Sequence, residues 1–501
     1  MAATHLLGID QGTTGTTALV LDGDARIAGR AYAELPQHYP RPGWVEHDPA
    51  DIYATSIEVA SAALADAGID SSSLAALGIT NQRETTLVWD RATGEPLANA
   101  IVWQDRRTAP LCAQLRARGL EPLVRERTGL LLDAYFSGTK LAWLLDNVDG
   151  LRRRAEAGEV AFGTVDSWLL YRLTGGRAHA TDVTNASRTM MFDLRTLQWD
   201  EELLSQLGVP PAVLPEVHPS SAVHATTDRS ALGAEIPVAA LVGDQQAALF
   251  AQGCFAPGQT KTTYGTGSFV LMHAGNQPFV EQGRMVSTVA ATIQGAGPEY
   301  ALEGSIFVTG SAVQWLRDEL RIISSAAETE GIARSVPDTG DVWFVPALAG
   351  LGAPYWDPHA RGMLIGITRG TSRAHIVRAV LESIAFATRD VVDAMQAGTG
   401  IVVGELRADG GAVANSFLMQ YQADILGVPV DVPAQIESTA IGAGLLAGLT
   451  VGAWSNLDEI SRVRTTAARY EPMMAADERD ARYRRWSEAV SRAREWASDR
   501  T

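Results

Sequence analysis

The chain opens with two apolar segments that a polar turn separates. Residues 6–10 and 17–22 are predicted as strands, and Asp10-Gln11-Gly12-Thr13-Thr14-Gly15-Thr16-Thr17 lies across the turn. Glycine and threonine supply main-chain amides and hydroxyls that can converge on an anion. An acid at the strand exit suits a divalent cation, such as Mg²⁺ with its waters, beside a phosphate. The pattern predicts either a phosphate-binding β-hairpin or a tight turn between two core strands.

The same pattern recurs half a chain later. Residues 261–272 again place a Gly/Thr turn, with Gly265, Thr266 and Gly267, between two apolar segments. A repeat at this spacing predicts two related domains that face each other across a nucleotide, although two similar turns could also arise by chance. At 501 residues the chain exceeds the length of about 250–300 at which one core stops growing. We therefore expect domains at 1–252 and 253–501, with the boundary near 251–259.

Hydrophobic periodicity predicts the remaining elements. The first half should contain strands at 26–35, 74–80, 87–89, 100–103 and 238–242, a helix at 48–67, helical segments across 105–173 and a Pro-rich surface connection at 210–219. The second half should contain helices near 311–335, 374–397 and 439–454, and strands at 342–346 and 405–408. Asp48 is predicted as the N-cap of the first helix, with Pro49 in its first turn.

Polar clusters follow three of the predicted strands. Arg83 and Glu84 follow 74–80, Asp244 and Gln245 follow 238–242, and Gly410-Gly411 follows 405–408. In α/β sheets, ligands bind at the carboxyl ends of strands, and glycines before a helix let the backbone approach a phosphate. The three clusters are therefore candidate ligand-binding segments.

Composition excludes several classes of protein. The net charge of −17 argues against nucleic acid or an anionic membrane as a partner. Two cysteines are too few for a disulfide framework. The N-terminal apolar run ends at Asp10 with no basic region before it, and the longest weakly polar run, 439–454, is shorter than the ~20 residues that span a bilayer. We therefore expect a cytoplasmic protein.

Lysine is rare in this chain. Of 41 basic residues only Lys140 and Lys261 are lysines, and each follows a threonine. A Walker loop needs Gly-Lys-Ser/Thr, so it is excluded, as are Rossmann and protein-kinase motifs. Because arginine otherwise replaces lysine throughout, each retained lysine is a candidate for a specific role.

Longer strings carry a resemblance to a known family. Residues 135–147 and 362–382 match two broad signatures of carbohydrate kinases, and the strings 42–49, 78–86, 103–108, 162–168, 184–189, 243–250 and 351–357 are typical of one branch. To about residue 456 the chain resembles the glycerol kinase family, within the actin/hexokinase/sugar-kinase superfamily. The resemblance implies an α/β fold of two actin-like (ribonuclease H-like) ATPase domains that flank a nucleotide and substrate cleft. It also implies a homo-oligomer, a dimer or tetramer, that converts glycerol and ATP to sn-glycerol 3-phosphate and ADP, the first step of glycerol catabolism.

The resemblance assigns roles residue by residue. Asp244 matches the general base, and the small-molecule substrate glycerol would contact Arg83, Glu84, Trp103, Tyr135, Asp244, Gln245 and Phe269. The nucleotide would contact Thr13, Thr14, Gly15, Thr266, Gly310, Gln314, Gly411 and Asn415. Asp10, through water, and Asp244 would face Mg²⁺. A triol offers three hydroxyls that both donate and accept, so a guanidinium and a carboxylate can bracket neighbouring oxygens.

Structural roles are the alternatives for these residues. Asp244 could instead cap the following helix, Arg83 and Glu84 could form a surface ion pair, and Tyr135 and Phe269 could be core residues.

Two departures from the family pattern carry expectations. Many glycerol kinases have an arginine where this chain has Thr17. We therefore expect either weaker nucleotide binding or a larger share of the phosphate binding by backbone amides and Mg²⁺. The segment 226–237 lacks the Gly-Gly, Arg-containing form that binds a sugar bisphosphate inhibitor in some bacterial members.

We therefore predict that fructose bisphosphate does not inhibit this enzyme. The measurement is the rate of glycerol-dependent ADP release with and without saturating fructose bisphosphate. Unchanged activity is the expected result, and clear inhibition would contradict it.

Other functions stay open on the sequence alone. A kinase of the same family acting on a pentulose, gluconate or erythritol is the first rival, and the strings at Arg83 and Trp103 count against it. An actin-like ATPase without a small-molecule acceptor would use the same two hairpins, but it has no use for the polyol-binding residues. A glycosidase with paired carboxylates would not need the hairpins.

Overall fold

The computed structural model describes residues 4–280 and 285–497. The first and last residues of the two predicted domains, 1–3 and 498–501, therefore lie outside the described residues.

The first half of the chain contains short helices and strands around one larger sheet. Its strands are β1 His5–Gln11, β2 Gly15–Leu21, β3 Ile27–Glu34, β4 Glu46–His47, β5 Leu74–Asn81, β6 Leu87–Asp90, β7 Ala100–Ile101, β8 Val160–Gly163, β9 Ala180–Asp182, β10 Phe192–Asp193, β11 Gln198–Trp199, β12 Glu216–His218, β13 Ser221–Thr226 and β14 Pro237–Gly243. Its helices are α1 Pro49–Asp66, α2 Ala109–Ala117, α3 Glu121–Thr128, α4 Ser137–Asn147, α5 Leu151–Glu156, α6 Val165–Leu173, α7 Val183–Ala186, α8 Glu201–Leu207, α9 Arg229–Leu232 and α10 Asp244–Ala251. Two 3₁₀ turns lie at Ser71–Ser73 and Pro211–Val213.

The second half contains another sheet and longer helices. Its strands are β15 Thr260–Tyr264, β16 Ser268–Gly275, β17 Val286–Val289, β18 Tyr300–Ile306, β19 Trp343–Val345, β20 Met363–Ile365, β21 Leu406–Asp409, β22 Val430–Pro433 and β23 Thr466–Tyr470. Its helices are α11 Gly310–Asp318, α12 Glu328–Arg334, α13 Arg373–Thr399, α14 Ser416–Leu426, α15 Ser438–Thr450, α16 Leu457–Val463 and α17 Ala476–Ala493, with a 3₁₀ turn at Gly411–Ala414. Within the described ranges, no helix is both long and apolar enough to cross a membrane.

The two large sheets share one topology. In the first, β3, β2 and β1 form an antiparallel meander, β1 pairs in parallel with β5 and then β14, and β13 closes the edge antiparallel. In the second, β18, β16 and β15 form the meander, β21 and β22 follow in parallel, and β23 closes the edge antiparallel, with β17 added beyond β18. The repeat inferred from the two Gly/Thr turns is thus a repeat of whole sheets, and each turn joins the first two strands of its sheet.

A helix from the second half packs on the first sheet. Helix α15 contacts β1, β5 and β14 on one side and α10 on the other. Glycines permit this approach: a Cβ on Gly78 would overlap the carbonyl oxygen of Ala443, and one on Gly442 would overlap that of Ala247. Side chains from both halves, including Leu19, Val242, Phe250 and Leu446, form one buried cluster there. The packing holds the carboxyl ends of β1, β5 and β14 beside the N-terminus of α15.

Most predicted elements are present, and three expectations were wrong in detail. The Asp48 carboxylate accepts a hydrogen bond from the amide of Ala50 and caps α1, as predicted. The strand expected at 100–103 is only the two-residue β7. The helical stretch 105–173 is interrupted by β8, which pairs with β6, and the Pro-rich connection contains β12, which pairs with β9. Strands of two to four residues are too short for alternation of polar and apolar residues to predict them.

Candidate active site

Four buried charged side chains form the centre of the site. Arg83 and Glu84 follow β5, Arg188 follows α7, and Glu303 lies on β18 of the second sheet. Glu303 accepts hydrogen bonds from Arg83 Nη1 at 2.5 Å and from Arg188 Nη2 at 2.8 Å, while Arg188 Nε binds Glu84 Oε1 at 2.6 Å. Each of these side chains is at most 2% exposed. One acid of the second half therefore holds two arginines of the first half.

Glu303 and Arg83 keep their charges because their partners offset the effect of burial on the pKa. Burial alone would raise the pKa of Glu303, but Arg188 and Arg83 hold it at about 2. Burial opposes the charge of Arg83 as well, yet Glu303 and Glu84 raise its pKa well above the ordinary value. A buried arginine bound in this way has a fixed orientation, so its remaining donors are aimed before any ligand arrives.

Asp244 lies at the edge of the cluster. Its Oδ1 forms an ion pair with Arg83, 3.0 Å from Nε, and accepts a hydrogen bond from the amide of Gln245 at 2.7 Å. The N-cap of α10 is Gly243, and Asp244 is the first helical residue. Its side chain is 26% exposed, whereas Arg83 is almost fully buried. A carboxylate that is anchored on one side and open on the other can accept a proton from a bound ligand.

Aromatic rings line one side of this cluster. Trp103 meets Tyr135 edge to face, with the ring centres 5.4 Å apart, and meets Phe269 at 6.4 Å. Tyr135 also lies near Arg83, with its hydroxyl 3.4 Å from Nη2. The three rings are half-buried, so they offer apolar surface to a small ligand next to charged groups.

The first Gly/Thr hairpin is tied to these rings. The indole of Trp103 donates to Thr13 Oγ1 at 2.8 Å, and the amide of Gly12 donates to the carbonyl of Gly15 at 3.0 Å across the turn. Thr14 is exposed at the tip. A Cβ on Gly15 would lie 2.6 Å from the main-chain carbonyl oxygen of Ala33, so only glycine fits there.

The second hairpin lies beside the other predicted nucleotide residues. The amide of Gly310 donates to the carbonyl of Gly265 at 3.0 Å, and Ser311 donates to the carbonyl of Thr266. Gly410 has a φ of 87°, and a Cβ there would overlap the carbonyl oxygen of Tyr264. The hairpin, the N-terminus of α11 and the turn at Gly411 therefore form one surface, on which Gln314 and Gly411 are exposed. The side chain of Asn415 is less free, because its Oδ1 caps α14 by accepting a hydrogen bond from the amide of Leu418.

Asp10 is the acid at the exit of β1. Thr439, at the start of α15, donates a hydrogen bond to its Oδ2. Burial raises the pKa of Asp10 to about 7, and the carboxylates of Asp244 and Glu437 add to the rise. Neighbouring negative charge that raises the pKa of Asp10 would be offset by a bound cation. No group of three or more His, Cys, Asp or Glu side chains in the described part of the chain could hold a metal ion alone. This donor set suits Mg²⁺, which takes one or two carboxylates together with substrate phosphates.

Sequence reasoning missed several residues of the site. Arg188 lies within the string 184–189, which resembles glycerol kinases, but the resemblance assigned it no role. Glu303, Gln246 and Thr439 were not predicted as site residues. Gln246 lies 3.4 Å from Arg83 Nη1 and donates to the hydroxyl of Thr288 at 3.0 Å. One signal was available for Glu303: it is the only charged residue in the apolar strand Tyr300–Ile306. All seven residues predicted to contact the substrate lie in or beside the cluster.

Comparisons with known proteins give consistent matches. The model of the FGGY family of carbohydrate kinases, N-terminal domain, matches residues 5–251, and that of the C-terminal domain matches 260–451. Glycerol kinase 2 of Thermotoga maritima is 58% identical over 98% of this chain and 99% of its own, and a glycerol kinase of Carboxydothermus hydrogenoformans is 55% identical over 99% of each. The crystal structure of Plasmodium falciparum glycerol kinase with ADP superposes with a TM-score of 0.92 at 35% identity, over 98% of each chain. A gluconate kinase of Lactobacillus acidophilus, 22% identical with a TM-score of 0.85, shares the fold.

Proposed function

Because the chain belongs to the FGGY family of carbohydrate kinases, we propose that its charged cleft phosphorylates glycerol with ATP. The observation that carries this function is the identity of 53–58% to glycerol kinases over nearly the whole chain. The protein is an ATP-dependent glycerol kinase, and its product is sn-glycerol 3-phosphate. The roles of the individual residues below are part of the proposal.

Glycerol binds between the charged cluster and the rings. Arg83 and Glu84 bracket neighbouring hydroxyls, since a guanidinium only donates and a carboxylate only accepts. Trp103, Tyr135 and Phe269 pack against the carbon side, and Gln245 contacts a further hydroxyl. Because Glu303 already holds Arg83, binding does not have to order that side chain.

Asp244 acts as the general base. Its carboxylate takes the proton of the attacking hydroxyl as that oxygen forms a bond to the γ-phosphorus, and the bond between the γ-phosphorus and the bridging oxygen of ADP breaks. The contact with Arg83 Nε keeps Oδ1 in place, and the open side of the carboxylate faces the acceptor.

The nucleotide lies along the two hairpins. Thr13, Thr14, Gly15 and Thr266 donate to the phosphates, while Gly310, Gln314, Gly411 and Asn415 line the rest of ADP. Asp10, through water, and Asp244 would hold Mg²⁺, which when bound neutralises phosphate charge as it develops. With Thr17 in place of an arginine, hydroxyls and amides carry the protein's share of that task.

The test is ADP release from Mg-ATP with glycerol, dihydroxyacetone, erythritol, xylulose, gluconate or no acceptor. We expect release that depends strongly on glycerol, with glycerol 3-phosphate as the product. Release with another acceptor would favour a sister sugar kinase, and release that ignores every acceptor would favour an actin-like ATPase. The two domain ranges, the homo-oligomer and the cytoplasmic location stay predictions.

A further inference from the structure

The only two lysines of the chain are both buried beside the site. Lys140 and Lys261 are 0% exposed. The ammonium of Lys140 donates to the main-chain carbonyls of Tyr135 at 2.5 Å and of Phe136 at 3.2 Å, so it holds backbone. Lys261 differs, because its ammonium binds side chains.

Lys261 reaches from the second sheet to the first residues of α10. It lies on β15, and its Nζ donates to Gln245 Oε1 at 2.5 Å and to Thr263 Oγ1 at 2.8 Å. A carboxamide can present either its oxygen or its NH₂ in one direction. The ammonium only donates hydrogen bonds, so the carboxamide must turn its oxygen towards Lys261 and its NH₂ the other way. It then donates to Asp244 Oδ2 at 3.2 Å.

Stability does not explain a lysine at this place. Burial lowers the pKa of Lys261 to about 8, although Asp409, Asp244 and Glu303 lie close enough to raise it. A methionine has nearly the same length and would pack there without desolvating a charge. The buried ammonium of Lys261 therefore indicates a role in the site.

We propose that Lys261 is a positioning residue for the acceptor site: its ammonium fixes the Gln245 amide so that the NH₂ faces Asp244 and the substrate. The inference rests on the proposed function, because it takes Gln245 as a contact of glycerol. It also makes the acceptor site depend on both halves of the chain, since β15 belongs to the second sheet.

The test is a double-mutant cycle on Lys261 and Gln245. We expect Lys261→Met to raise the KM for glycerol about tenfold, the size of one hydrogen bond from a charged donor. The KM for ATP and the thermal midpoint should stay unchanged. In a Gln245→Ala background, Lys261→Met should have no further effect on the KM for glycerol, because the residue through which it acts is gone.

Two further variants keep the result decisive. Lys261→Arg retains the charge and the donors, so it should restore most of the affinity for glycerol even if the methionine variant folds poorly. Lys140→Met is the matched control. Its effect on the KM for glycerol should be independent of Gln245, so the fold-changes of Lys140→Met and Gln245→Ala should multiply in the double variant.

The proposal is overturned if Lys261→Met leaves the KM for glycerol unchanged. It is also overturned if the fold-changes in this KM from Lys261→Met and Gln245→Ala multiply in the double variant, or if Lys261→Arg raises the KM as much as Lys261→Met does. Failure of the proposed function is a separate result, seen in the unmodified protein as ADP release that does not depend on glycerol. If another acceptor of the panel is used, the same cycle is measured on the KM for that acceptor.

Discussion

Replacing Asp244 by asparagine is expected to lower kcat for glycerol phosphorylation by about 10³-fold, within the range that a positioned general base contributes. The amide cannot take the proton of the attacking hydroxyl. It keeps the shape of the carboxylate, so its oxygen can still lie beside Arg83 Nε and accept from the amide of Gln245. Glycerol binding, measured by calorimetry without nucleotide, should therefore be largely preserved.

The control is the same change at Asp477, an exposed acid in the first turn of α17. Asp477→Asn should leave kcat and glycerol binding unaltered. Near-normal turnover in Asp244→Asn would remove Asp244 from the role of base. A loss of glycerol affinity that accounts for the whole effect would make Asp244 a binding residue.

The general plan of the molecule could be predicted because its signals are local. A Gly/Thr turn between two apolar segments is visible within a dozen residues, and its repetition at 261–272 indicated the repeat of sheets. Asp48 before Pro49 similarly located the start of α1. The clusters after β5 and β14 indicated a ligand site because strand ends of a parallel pair meet at one edge.

The contacts within the site could not be predicted, because they join distant parts of the chain. Glu303 binds Arg83 across 220 residues of sequence and Arg188 across 115. No periodicity or spacing relates such positions. The packing of α15 on the first sheet could not be predicted for the same reason: Gly8 of β1 and Gly78 of β5 fit against the backbone of a helix that lies more than 350 positions later.

Substituting Glu303 by glutamine is expected to lower the free energy of unfolding by about 3–5 kcal/mol, the cost of removing one partner from a buried ion pair. The amide would turn an NH₂ towards one of two guanidinium groups, so Arg83 or Arg188 would lose its acceptor. Because Arg83 would then be less well oriented, the KM for glycerol should also rise by about tenfold or more. Chemical denaturation and steady-state kinetics measure the two effects.

Glu299 offers a matched control, since it lies just before the same strand with its side chain 44% exposed. Glu299→Gln should change neither the stability nor the KM for glycerol. If Glu303→Gln lowered stability but left the KM for glycerol unchanged, Glu303 would hold the two halves together without orienting Arg83. If neither quantity changed, the buried charge cluster would not govern the site. The expected pair of effects follows only if one acid of the second sheet both stabilises the cleft and aims the arginine that receives the substrate.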